Sequence, residues 1–233
     1  MGRCILHVGH PKTGSTYLQT ALHLNEEALQ QAGFWVPSDF TQFDSYNCRE
    51  LAERGEIFSG NMQAVFEASE AHQHERVDAL LHHILYRGAE NLILSSELLF
   101  YYIYVVWDIA RRAAKAGYQV LVIAYLARQD RAAISDYVQN LRNHGYHGTV
   151  LAFLESKRHE GHLQYAKVLK GYNLDAAGRA VVRTFDRQFL LGGDLLSDFL
   201  AVSRCPLKAS DLRLPEGSLN TGLPLEWCEV LRG

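Results

Sequence analysis

Near its start, the chain gathers two glycines, a lysine and several hydroxyl side chains in one short loop. This segment reads Gly9-His10-Pro11-Lys12-Thr13-Gly14-Ser15-Thr16 and follows the apolar run from Cys4 to Val8. Glycines let a backbone fold tightly enough for several N–H groups to point inward, and a helix that begins at the end of the loop adds its positive pole. Lys12 adds a full charge in the middle. The pattern therefore predicts an anion-binding loop, most naturally for a phosphate.

The glycine spacing is that of a P-loop, but Ser15 stands where the usual lysine would be. In ATPases and kinases that lysine reaches the β and γ phosphates, and the adjoining hydroxyl binds magnesium. Here the lysine has moved to Lys12, from which it could neutralise a leaving oxygen without a metal. A Gly-rich turn that only caps a helix, with Lys12 in solvent, is the alternative interpretation.

Short apolar runs alternate with helical patterns, which is typical of an α/β fold with a parallel sheet. Strands are predicted at Cys4 to Val8, Phe34 to Val36, Asn91 to Leu94, Gln119 to Leu126 and Ala180 to Thr184. Helices are predicted at Ser15 to Gln31, Ala64 to Tyr86, Ile103 to Lys115, Ala132 to Arg142 with Asp130 as N-cap, Leu163 to Leu169 and Gly193 to Val202. The segment Ser38 to Gly60 is predicted as a loop with a helical turn, and the segment Gly145 to Gly161 as a loop.

These elements predict a three-layer α/β domain, with a parallel sheet flanked by helices and a P-loop nucleotide-binding-like architecture. One domain is expected to span residues 1–233. Ligands of such sheets gather at the carboxyl ends of the strands. The chemistry is therefore expected just after Val8, Leu94 and Leu126.

The run Pro11-Lys12-Thr13-Gly14-Ser15-Thr16 resembles the 5′-phosphosulfate-binding loop of sulfotransferases that use 3′-phosphoadenylyl sulfate (PAPS). Tyr17-Leu18-Gln19 also resembles bacterial carbohydrate-type members of that family, and the resemblance extends from Ile5 to about Leu200. It implies sulfuryl transfer from PAPS to a hydroxyl of a carbohydrate or glycoconjugate. Lys12, Thr13, Gly14, Ser15 and Thr16 would bind the phosphosulfate.

Metal independence follows as an expectation from that resemblance. A sulfuryl group carries less negative charge than a terminal phosphoryl group, so a lysine and backbone donors can stabilise its transfer without magnesium. The donor also carries a 3′-phosphate. Arg128 and Ser135 resemble the pair with which family members hold that phosphate, since a guanidinium and a hydroxyl both donate to its oxygens. Alternatively, Arg128 is a surface cation and Ser135 an ordinary helix residue.

Transfer to a hydroxyl requires a base within hydrogen-bond reach of it. Glu97 is the first candidate, because the strand Asn91 to Leu94 leads into Ser95-Ser96-Glu97 at the expected edge. Carbohydrate sulfotransferases often use a glutamate, which Glu97 resembles by role. A charge in the first turn of a helix is the competing interpretation of Glu97. His10 in the loop is the second candidate base, and packing against its neighbours is the alternative for its imidazole.

An aromatic cluster follows directly after Glu97 and consists of Tyr101, Tyr102, Tyr104 and Trp107. Aromatic faces stack on sugar rings, so this cluster could bind a saccharide acceptor. Packing in the core is the alternative. Arg142 and His144 could contact an anionic acceptor.

Composition excludes several other classes of protein. The 23 Lys and Arg residues against 26 Asp and Glu leave a net charge of −3, so no broad basic field binds nucleic acid. The apolar run from Leu98 to Trp107 is about half of the roughly 20 residues that a membrane-spanning helix needs. Four scattered cysteines disfavour disulfides and structural zinc, and together with the lack of a leader pattern they predict a cytoplasmic protein.

Two other functions remain open from the sequence. A P-loop kinase or nucleoside triphosphatase using ATP shares the loop architecture, although the displaced lysine and the lack of a clear acidic strand end disfavour it. A protein that binds a nucleotide without catalysis is the other. No metal ligand set is predicted in any of these interpretations.

Overall fold

A computed structural model describes residues 2–10, 12–38, 47–66, 70–85, 88–157, 163–172, 174 and 177–215. Its strands are β1 (Arg3–Gly9), β2 (Phe34–Trp35), β3 (Asn91–Ser96), β4 (Gln119–Leu126) and β5 (Gly178–Thr184). They form a five-stranded sheet in the order β2-β3-β1-β4-β5, and every neighbouring pair is parallel. The predicted parallel α/β sheet is confirmed.

The described α-helices lie between and after these strands. They are α1 (Ser15–Leu24), α2 (Glu26–Gln31), α3 (Cys48–Glu53), α4 (Gln63–Phe66), α5 (Glu70–Leu85), α6 (Ile103–Lys115), α7 (Gln129–Asn143), α8 (Val150–Lys157), α9 (Tyr165–Gly171) and α10 (Leu195–Val202). A 3₁₀ helix at Glu97–Phe100 continues directly from β3. None of the described helices is long and apolar enough to cross a lipid bilayer.

The central strands are buried on both sides, because helices cover both faces of the sheet. Alternate residues of β1 enter different cores. Cys4, Leu6 and Val8 pack in one core with residues of α5, α6 and α9. Ile5 packs in the other with residues of α1, α2 and α10. The three-layer arrangement expected from the sequence is therefore observed.

Three sequence predictions about local structure are wrong. The helix predicted from Ser15 to Gln31 divides at Asn25, whose amide Nδ2 donates to the carbonyls of Ala21 and Arg213, at 2.7 Å in each case. Asparagine competes in this way with the helical backbone. In the segment 145–161, predicted as a loop, α8 forms because Phe153 packs against Tyr137 and Leu141 of α7.

The third correction concerns the start of α7. Asp130 was expected as its N-cap, but Arg128 occupies that position and the helix begins at Gln129. The Asp130 carboxylate instead accepts hydrogen bonds from the Arg128 guanidinium at 2.7 and 3.1 Å. Asp130 thus lies inside the first turn of the helix, where it forms an ion pair with the N-cap residue.

The described cysteines are all buried thiols outside any disulfide, at Cys4, Cys48 and Cys205. Cys228 lies outside the described residues.

Candidate functional site

The site lies at the carboxyl edge of the sheet. Val8 of β1 is in register with Ser96 of β3 and with Ala124 of β4, and Leu126 is in register with Thr184 of β5. The segments that follow these strands therefore leave the sheet side by side. The connection from β1 leads towards β2, while that from β4 leads to β5, so a crevice is expected where β1 and β4 end.

The loop after β1 is held in an uncommon backbone conformation. Lys12 has a φ of 67° and Gly14 a φ of 73°, both in the left-handed region. A lysine there is strained, and such strain concentrates at functional sites. The Thr13 hydroxyl donates to the carbonyl of His10 at 2.5 Å and closes the turn. Pro11 lies outside the described residues.

Gly14 is the N-cap of α1, and its conformation and surroundings both favour glycine. A Cβ at this position would lie 2.9 Å from Leu195 Cδ2 and 3.3 Å from the ring of Phe185. The loop is thus seated against α10 and against the residue that follows β5. Because glycine has no side chain to cap the helix, the N–H groups of the first turn, including those of Ser15 and Thr16, can donate to an anion.

Glu97 meets the loop through a side-chain hydrogen bond. Ser96 ends β3 and caps the 3₁₀ helix, its hydroxyl accepting from Leu98 N at 3.2 Å. This places Glu97 in the first turn, where its Oε2 accepts from Ser15 Oγ at 3.0 Å. The structure therefore brings together two predicted site residues that are far apart in the sequence.

Charges of both signs surround the Lys12 ammonium, which is half-buried. Burial lowers the pKa of Lys12 from its usual value. The carboxylates of Glu97 and Asp136 oppose this shift, and the guanidinium of Arg142 adds to it. Lys12, Glu97 and part of α7 therefore share one electrostatic environment.

His10 packs among aromatic rings. Its ring is 2% exposed. It meets the Phe100 ring edge-on at 4.8 Å between centroids, and the Tyr165 ring at 5.1 Å. Ring packing of this kind was the alternative to a role as base.

Arg128 is the N-cap of α7 and has a non-helical backbone conformation, whereas Ser135 lies in the second turn of that helix. The Arg128 guanidinium is exposed and paired with Asp130, whereas Ser135 is half-buried. A phosphate bound by Arg128 would share that guanidinium with the Asp130 carboxylate.

An open cavity of about 610 Å³ adjoins Arg128 at the ends of β4 and β5. Tyr165 and Thr184 also line it. The Tyr165 hydroxyl donates to the carbonyl of Ala127 at 3.0 Å, which fixes α9 over the end of β4. Because the Tyr165 ring also packs against His10, the cavity lies next to the loop.

The cavity is lined by Arg183 of β5, which forms an ion pair with the buried Asp198 of α10. Asp198 accepts from Tyr125 Oη and Arg183 Nε, each at 2.9 Å, and from Leu191 N at 3.0 Å. A second nitrogen of Arg183 also donates to this carboxylate. Burial raises the pKa of Asp198, but these donors outweigh it and hold the pKa below its usual value. The network fixes α10, whose Leu195 contacts the loop.

The aromatic cluster after Glu97 divides into exposed and packed members. Tyr101 and Tyr104 are 46% and 44% exposed. Tyr102 packs against Phe66 with 5.0 Å between ring centroids, and Trp107 Nε1 donates to the carbonyl of Gly171 at 2.6 Å. Two tyrosines next to the candidate base therefore face solvent.

Several residues around the site were missed by the sequence analysis. Asn61 bonds to the end of β3, Phe185 contacts Gly14, Tyr165 contacts His10, and Asp198 anchors α10. Phe185 directly follows a predicted strand, and its position at the shared edge of the sheet could have been inferred from that. Asn61 gave no such signal, because it lies between the predicted loop Ser38 to Gly60 and the predicted helix Ala64 to Tyr86. Among the described residues, no group of three or more His, Cys, Asp and Glu side chains forms a metal site.

No protein-family model and no curated protein matches this sequence. Among solved structures, the chain is similar to the crystal structure of a sulfotransferase from Alicyclobacillus acidocaldarius. The two share 17% identity with a TM-score of 0.46, and the match covers 97% of this chain and 88% of the other.

Proposed function

We propose that this protein is a PAPS-dependent sulfotransferase that transfers the sulfuryl group to a hydroxyl of a carbohydrate or glycoconjugate. The observation that carries the proposal is the loop itself. Its lysine stands at Lys12 in a left-handed conformation, and its Ser15 hydroxyl bonds to Glu97 at 3.0 Å. The first residue of α1 thus meets a carboxylate beyond β1, and the Lys12 ammonium lies within electrostatic range of that carboxylate.

The donor fits this edge of the sheet in two parts. The N–H groups from Thr13 to Thr16 and the Lys12 ammonium would bind the 5′-phosphosulfate. The cavity at the ends of β4 and β5 offers space for the nucleoside, with Arg128 on its lining. Arg128, at the N-cap of α7, and Ser135, in its second turn, would bind the 3′-phosphate.

Glu97 is the proposed base. The acceptor oxygen attacks sulfur while its proton passes to the Glu97 carboxylate, and the bond from sulfur to the bridging phosphate oxygen breaks. Adenosine 3′,5′-bisphosphate leaves with the electron pair, and Lys12 stabilises the charge that develops on its oxygen. His10 is less suited as base, because its buried imidazole packs between Phe100 and Tyr165.

The proposed acceptor is a saccharide, because Tyr101 and Tyr104 expose their rings just after Glu97. Tyrosine presents an apolar face to the C–H groups of a sugar and a hydroxyl to its polar edge. No metal is required by this proposal, since Lys12 supplies the positive charge.

A transfer assay with labelled PAPS and a panel of saccharide acceptors tests the proposal. Lys12→Ala should lower kcat about 10²-fold or more. Glu97→Gln keeps an acceptor for Ser15 but cannot take the proton, so kcat should fall about 10²-fold to 10⁴-fold. Lys115→Ala, on the exposed last turn of α6, is the matched control. Unchanged turnover in either site variant, or no transfer by the unsubstituted protein to any acceptor, contradicts the proposal.

A kinase or nucleoside triphosphatase is the second candidate, and the contact between Ser15 and Glu97 favours it. In P-loop enzymes a loop hydroxyl and an acidic residue from a neighbouring strand end hold magnesium together. Glu97 supplies such an acidic strand end, contrary to the expectation from sequence. The position in the loop differs, however. The magnesium-binding hydroxyl of the motif corresponds to Thr16, whereas Glu97 bonds to Ser15.

A further inference from the structure

At the end of β3, a side chain takes up the backbone hydrogen bonds on the side that faces β2. In the described part of the sheet, the pairing of β2 with β3 ends at Leu92. Beyond it, Asn61 Nδ2 donates to the carbonyl of Ile93 at 3.1 Å, and Ser95 N donates to Asn61 Oδ1 at 2.8 Å. A primary amide carries the same donor and acceptor as a peptide group. Asn61 therefore takes the place of the next strand.

Gly60 brings this amide into position. Its φ is 86°, and a Cβ there would lie 2.0 Å from the carbonyl oxygen of Ser95 and 2.8 Å from Gln19 Nε2. Only glycine permits so close an approach. Gln19 lies one turn after Ser15 on α1. Gly60 is thus wedged between the end of β3 and the helix that carries Ser15.

The two residues therefore contact both elements whose spacing sets the bond between Ser15 and Glu97. Asn61 is 1% exposed, and its bonds hold Ser95, two residues before Glu97. The segment is itself fixed, since Gln63 Oε1 accepts from Ser59 N at 2.8 Å and Met62 is fully buried in the core. A displacement at Asn61 would be transmitted through Ser95 and Ser96 to Glu97.

We propose that Asn61 is a positioning residue for the reaction, which holds the end of β3 so that the Glu97 carboxylate stays at Ser15. This inference rests on the proposed function for its kinetic consequence. The structural part of the inference is independent of the proposed function, because hydrogen exchange at Ser95 reports the bond from Ser95 N to Asn61 without any substrate.

The test compares Asn61→Ala with Asn25→Ala. Asn25 is a matched control, because its buried amide also bonds to a peptide group, accepting from Arg213 N at 2.8 Å and donating to the Arg213 carbonyl at 2.7 Å. It does so at the junction of α1 and α2. Both variants lose similar hydrogen bonds, but only Asn61→Ala loses them at the end of β3, on the side opposite its pairing with β1.

In Asn61→Ala, amide hydrogen exchange at Ser95 should accelerate at least about tenfold. The kcat for transfer should fall about tenfold to 10²-fold, while the Kd of adenosine 3′,5′-bisphosphate stays within about threefold. Asn25→Ala should lose thermal stability and keep kcat. Asn61→Ser keeps a small polar group that is too short to reach both Ile93 and Ser95, so it serves as the second variant if Asn61→Ala does not fold, with the same expected changes in exchange and kcat.

Two results would overturn the inference. One is an Asn61→Ala protein with accelerated exchange at Ser95 and unchanged kcat, because Asn61 would then be structural only. The other is unchanged exchange at Ser95. If the unsubstituted protein transfers no sulfuryl group, the proposed function fails on its own, and the exchange data still decide whether Asn61 holds β3.

Discussion

His7 is a buried neutral imidazole beneath the loop, and its burial makes a specific prediction about stability and pH. The residue is fully buried on β1, with Nδ1 2.8 Å from Ser95 Oγ and its ring beside those of Tyr125 and Phe199. Burial lowers the pKa of His7 from 6.5 to about 4. The native protein therefore binds fewer protons than the unfolded chain between these pH values.

The sign of the effect follows from that difference. The free energy of unfolding rises with pH wherever the unfolded chain binds more protons, so the native state loses stability as the pH falls through 6.5 towards about 4. A tenfold change in proton affinity corresponds to about 1.4 kcal/mol. The contribution of His7 is then a loss of about 2 kcal/mol between pH 7 and pH 5, and about 3 kcal/mol by pH 4.

Urea unfolding of the unsubstituted protein and of His7→Gln, at pH 7 and at pH 5, measures this contribution. Glutamine does not titrate, so the loss on acidification should be smaller in the variant by about 2 kcal/mol. The comparison uses only the change with pH within each protein, so the cost of the substitution itself cancels. Equal losses in the two proteins would refute a buried neutral imidazole at position 7.

Two further predictions concern the groups that hold the site. Asp198→Ala should lower the free energy of unfolding by about 2 to 3 kcal/mol, because it leaves the buried Tyr125 hydroxyl without its acceptor and the half-buried Arg183 without its partner. A loss below about 1 kcal/mol in denaturant unfolding would contradict the network. Gly60→Ala should destabilise the protein more than Gly55→Ala. Both glycines have positive φ, so the backbone strain of the substitution is similar at the two positions. A Cβ at Gly60 would meet backbone atoms, whereas no atom lies within 4 Å of a Cβ at Gly55. Equal melting temperatures of the two glycine variants would show that the close contact at Gly60 is absent.

The sheet and the loop were predictable because their signals are local. Buried parallel strands are continuous apolar runs, and α6 and β4 have the predicted bounds, Ile103–Lys115 and Gln119–Leu126. The residues of the loop are neighbours in the sequence. Glu97 was predicted near the loop because the carboxyl ends of parallel strands share an edge.

The remaining features depend on contacts between distant segments. Nothing near Asn61 in the sequence indicates that it completes the edge of β3, because that role exists only where β2 is short. The division of the first helix at Asn25 similarly depends on Arg213, far along the chain. Asp130 bonds to the side chain of Arg128 and does not cap α7. Intrinsic helix and capping propensities do not determine which of these two arrangements forms.

The central claim is that the loop after β1 binds a sulfated adenylate with Lys12 in place of a metal ion. Calorimetric titration with adenosine 3′,5′-bisphosphate, and separately with ATP and magnesium, tests it most directly. We expect the bisphosphate to bind without metal, more tightly than ATP with magnesium, and at least about tenfold more weakly to Lys12→Ala than to the unsubstituted protein. Tighter binding of ATP with magnesium, or bisphosphate binding that is unaffected by Lys12→Ala, would contradict it.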